Sequence, residues 1–72
     1  MNTVKDAPTV DVIGSHKKAA EQYQEAAKAH LEAAKQHEAG NEDKANEWAK
    51  SANQFVEKAM IFDKEVANYH RM

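Results

Sequence analysis

No cysteine occurs in the chain, which excludes a disulfide framework and a thiolate zinc site and fits a reducing, cytoplasmic setting. Proline occurs once and glycine twice, so the turn formers that punctuate a sheet-rich fold are scarce. No apolar run approaches the roughly 18 residues of a membrane span. The first fifteen residues lack the apolar core of a signal peptide. Neither sign of charge dominates: 10 basic and 12 acidic residues leave a net charge of -2, without the basic excess of a nucleic-acid binder. The expectation is a soluble cytoplasmic protein that engages neither membrane nor nucleic acid. At 72 residues there is room for one small domain.

Alanine, glutamate, lysine and glutamine, all good helix formers, fill the rest, which predicts an all-α chain. Residues 1–14 differ. They hold Pro8, Gly14 and the β-branched Thr9, Val10, Val12 and Ile13, and read as an irregular arm. Ser15 is the expected N-cap of a first helix over about 16–39. Gly40 suits the left-handed residue that ends a helix. Asn41 suits the N-cap of a second, with Glu42 and Asp43 placing negative charge in its first turn. The second helix is expected over about 42–70. So short a link makes the two helices antiparallel neighbours. The domain is thus an arm at 1–14 and a helical hairpin at 15–72.

Both helices repeat every seven residues. Units begin at Ala20, Ala27 and Ala34 in the first, and at Ala45, Ala52, Ala59 and Val66 in the second. Seven-residue periodicity predicts a seam along one face of each helix, as in an alanine-rich coiled coil. The first position of each unit is small and the fourth large: Tyr23, His30 and His37 in one helix, Trp48, Phe55, Phe62 and Tyr69 in the other. Folding the chain about Asn41 brings together residues whose numbers sum to 82. Ala34 then meets Trp48, His30 meets Ala52, Ala27 meets Phe55 and Tyr23 meets Ala59. One large side chain lies against one small one in nearly every layer, which fills space without voids.

Two helices shield only one stripe of each other. The strip of Leu31, Ala49, Val56, Met60 and Ala67 lies beside this seam and is the expected interface for a second copy, giving a homodimeric four-helix bundle. Among polar residues the histidines stand out. His16, His30 and His37 fall on the assumed seam and are the candidates for a metal or haem site. The last two are one heptad, ~10 Å, apart along the axis, too far to share one ion. The carboxylates Glu21, Glu25 and Glu32 are spread among lysines and do not converge as acid–base catalysis requires.

From Gly40 through Ala52 the chain resembles the turn and second helix of a tetratricopeptide repeat, with Gly40, Ala45 and Trp48 in the matching places. The preceding helix lacks that repeat's Trp and Leu-Gly signature. Over about residues 16–60, the alanine-led heptads with Tyr23, His30 and His37 and the Gly-Asn turn are similar to small alanine- and histidine-rich bacterial hairpin proteins of unknown function. That resemblance implies a helical hairpin and no activity. The sequence predicts a non-enzymatic structural or protein-interaction module without a cofactor, which self-associates and offers a helical face to a protein partner. The alternative is a helical bundle that binds a metal or haem through its seam histidines.

Overall fold

In the computed structural model, α1 spans Asn2–Glu38 and α2 spans Glu42–Arg71. The backbone is described for residues 2–71 and the side chains for residues 12–68. The helices pack along their length as an antiparallel hairpin measuring 60 × 15 × 11 Å across its Cα atoms. No helix among the described residues is long and apolar enough to cross a membrane.

The turn forms as its residues dictate. Gly40 takes φ +82°, a conformation that costs a side-chain-bearing residue roughly 1–2 kcal/mol. The Gly40 amide donates to the His37 carbonyl (3.0 Å), and the Asn41 amide donates to the Gln36 carbonyl (2.8 Å). These two bonds satisfy carbonyls that the end of α1 would otherwise leave orphaned. The Asn41 carbonyl then accepts from the Ala45 amide to open α2, while its side-chain amide donates to Gln36 Oε1 at 3.0 Å. His37 Nδ1 lies 3.2 Å from Glu42 Oε1 across the turn.

Two expectations at the N-terminal end are corrected. The stretch expected as an irregular arm is helical from Asn2, through Pro8 and Gly14. Ser15 is therefore not an N-cap; it lies inside α1, is buried, and its hydroxyl donates to Glu65 Oε1 at 2.8 Å. The physical reason is the length of α2. It continues six residues past Glu65, to Arg71, and so flanks α1 through Gly14, where packing outweighs the local cost of glycine.

The seam of α1 is also corrected, by one residue. Its buried alanines are Ala19, Ala26, Ala29 and Ala33, whereas Ala20, Ala27 and Ala34 are exposed. Tyr23, His30 and His37 are exposed as well, so they do not fill the seam as the expected pairs of His30 with Ala52 and Tyr23 with Ala59 required. One residue is a 100° rotation of the helix face. The seam of α2 is where the repeat put it: Ala45, Ala52 and Ala59 are each 0% exposed. Alanine rows from both helices thus make the core, and among the described residues no large side chain is fully buried.

Candidate interaction surfaces

A seam of small residues leaves two flanks. On α1 the positions three after the buried Ala19, Ala26 and Ala33 are Gln22, Ala29 and Gln36; Ser15 begins this row. On α2 the positions three after Ala45, Ala52 and Ala59 are Trp48, Phe55 and Phe62. In an antiparallel pair these rows share one side, and the contacts agree. Ser15 reaches Glu65, and Lys18 Nζ sits 5.8 Å from the centroid of the Phe62 ring. A shallow groove on the same side is lined by Glu32, Gln36, Lys44, Glu47, Trp48 and Ser51. This is the aromatic face. Phe55 and Phe62 are half-buried and Trp48 is 39% exposed; they flank the seam and their outer surfaces stay open. Tyr69, expected in this series, lies outside the described side chains.

The other flank carries the positions four after each buried alanine. On α1 these are Tyr23, His30 and His37, preceded by His16; on α2 they are Ala49, Val56 and Asp63. Tyr23 Oη donates to Asp63 Oδ2 at 2.5 Å, which joins the two rows. By accepting this bond the Asp63 carboxylate raises the Tyr23 phenol above the ordinary tyrosine range; partial desolvation and the carboxylate's charge act in the same direction.

The residues expected at the interface fall as follows. Ala49 and Val56 are half-buried on the histidine flank, and Met60 (50% exposed) and Ala67 continue it outward. Leu31 does not join them. Five positions beyond Ala26, it points outward from α1 and is 66% exposed. The candidate ligands His16, His30 and His37 lie in one exposed row at heptad spacing. Among the described residues no three His, Asp or Glu side chains converge to hold a metal ion. Glu25 and Glu32 pair with Lys28 (3.5 Å) and Lys35 (4.0 Å) one turn along the same helix, contacts of a solvated surface.

The aromatic face as an open surface escaped the sequence reading, which assigned Trp48, Phe55 and Phe62 to a closed core. A signal was present: an all-alanine row between two helices leaves no interior deep enough for a ring. No family model matches this chain, and no significant match emerged among curated proteins or solved structures.

Proposed function

We propose that this chain is a non-enzymatic self-association module, in which two hairpins pack face to face as a four-helix bundle. One observation carries the reading. The hairpin buries alanine and leaves its large apolar side chains at least partly in water: Trp48, Phe55 and Phe62 on one flank, Val56 and Met60 on the other. Each such side chain gains about 1.5–3 kcal/mol on full burial, and a lone pair of helices cannot supply it. Contiguous apolar surface of this kind marks an interaction site. A two-helix face about 45 Å long, set by the 30 residues of α2, and 15 Å wide projects to about 700 Å², close to the roughly 800 Å² per partner of a stable interface. The strip of Ala49, Val56, Met60 and Ala67 offers a second surface, open to a protein partner.

Sedimentation equilibrium across a wide concentration range tests the reading. The expected mass is twice that of the chain. A single hairpin persisting at the highest concentration, with helicity intact, contradicts it.

A further inference from the structure

We propose that the angular phase between the two seams is a lock, which keeps α1 and α2 paired within one chain and bars the chain from opening into a single long helix that trades its seam with another copy. The lock acts within one chain, so it holds whether or not the self-association proposed above occurs.

Ala33, the last buried alanine of α1, and Ala45, the first of α2, stand twelve residues apart in the chain. At about 100° per residue, twelve residues advance the helix face by about 120° beyond three full turns. The turn absorbs that angle. Gly40 at φ +82° breaks the helix, and α2 starts afresh with its alanines directed at those of α1. A continuous helix has no such freedom. Its two halves would present their alanine rows about 120° apart, and one straight partner helix covers only one of them.

An unbroken helix would also carry the α1 repeat forward. The inward positions Ala19, Gln22, Ala26, Ala29, Ala33 and Gln36 advance by alternate steps of three and four. The same steps beyond Gln36 fall on Gly40, Asp43, Glu47, Lys50, Gln54 and Glu57. Four of these are ionisable, and they would take the places of Ala45, Ala52 and Ala59 against a second copy. Charges pressed into an alanine seam lose their water and gain no fixed partner there. Little else in the turn opposes a helix. Ala39, Asn41 and Glu42 are neither proline nor β-branched, and a β-carbon on Gly40 would meet nothing within 4 Å. Exchange of matching helices between copies is an inexpensive route to larger assemblies where a hinge can straighten. Here straightening separates the two seams. The alanine seam therefore stays with its own chain, and the aromatic and histidine flanks are the surfaces left for partners.

Two variants separate the phase from the turn residue. Gly40→Ala removes the glycine and keeps the spacing of twelve. The same substitution with two further alanines inserted before Asn41 makes the spacing fourteen, two whole heptads. The α1 steps then land on Ala45, Trp48, Ala52, Phe55, Ala59 and Phe62, one unbroken seven-residue repeat. The chain has no native cysteine, so Lys17→Cys and Lys64→Cys, both exposed, accept a pair of spin labels. Labelled chains are refolded in an excess of unlabelled ones, so that pulsed dipolar spectroscopy reads distances within one chain. The parent and Gly40→Ala should both give a separation on the order of 10–30 Å, that of packed helices. The variant with the spacing of fourteen should give about 70 Å at high concentration, the rise of a continuous helix between the labels, with helicity by circular dichroism at least that of the parent. A long separation in Gly40→Ala overturns the lock, because the glycine and not the phase would then hold the turn. A fourteen-spaced variant that stays closed at every concentration, or loses its helices, overturns it as well, because matching the seams would not have released the chain.

Discussion

The phenol of Tyr23 and the carboxylate of Asp63 join the two helices across the histidine flank through a 2.5 Å hydrogen bond. The bond holds the proton on the phenol, so Tyr23 ionises above the usual tyrosine range. The folded hairpin then binds more protons than the unfolded chain in the interval above pH ~10. The associated stability is complete below the unfolded pKa and is lost as pH rises through the folded one. In a Tyr69→Phe background, the ultraviolet titration of Tyr23 should move down toward the free value when Asp63 is replaced by Asn. An unchanged titration midpoint would show that the bond does not persist in solution.

Gly40→Ala should destabilise the hairpin by about 1–2 kcal/mol, because a β-carbon is introduced at φ +82°. Nothing lies within 4 Å of that β-carbon, so the loss comes from backbone strain alone and no steric clash adds to it. Urea unfolding reads it as a lower midpoint at constant slope. A variant as stable as the parent would mean that the turn takes another form.

The one-residue placement of the α1 seam makes neighbouring alanines behave differently. Ala26 is buried and Ala27 is exposed. Ala26→Leu drives extra methylenes between two close helices and should cost about 1–3 kcal/mol. Ala27→Leu should stay within about 0.5 kcal/mol of the parent. Thermal unfolding of the pair is the check; equal losses, or a larger loss at Ala27, would return the seam to the alanine-led heptads.

Gln22 has its side-chain oxygen buried without a hydrogen-bond partner. A buried orphan acceptor costs about 1–3 kcal/mol relative to one that is satisfied. Gln22→Met keeps the length of the side chain and removes the polar atom, so the melting temperature should rise. A fall in stability would mean that the oxygen has a partner in solution.

These particulars show what the sequence made legible. The turn was readable because Gly40 and Asn41 each meet a specific backbone demand. The α2 seam was readable because Ala45, Ala52 and Ala59 each lead a unit with one large ring three positions on and no second alanine next to them. In α1 the alanines come in pairs, Ala19-Ala20, Ala26-Ala27 and Ala33-Ala34, and periodicity alone cannot choose between members of a pair. Packing chooses. Ser15, Ala26 and Ala29 turn inward, while Tyr23 turns to Asp63 and the histidines lie on the exposed side. Gly14 misled for another reason: its local preference is real, but α2 runs six residues past Glu65, the partner of Ser15, far enough to flank α1 there. The interface expected at Leu31 moved outward with the same one-residue rotation that moved the seam.

The alanine core has a mechanical consequence. A row of identical small side chains at even spacing is a ladder whose rungs all look alike, so sliding one helix by a heptad would replace each buried alanine contact with an equivalent one. Resistance to that shear comes from elsewhere. The closed turn fixes one end, and the Ser15–Glu65 and Tyr23–Asp63 bonds fix positions far from it. Loosening those pins should let the helix ends creep past each other while the helices themselves stay intact.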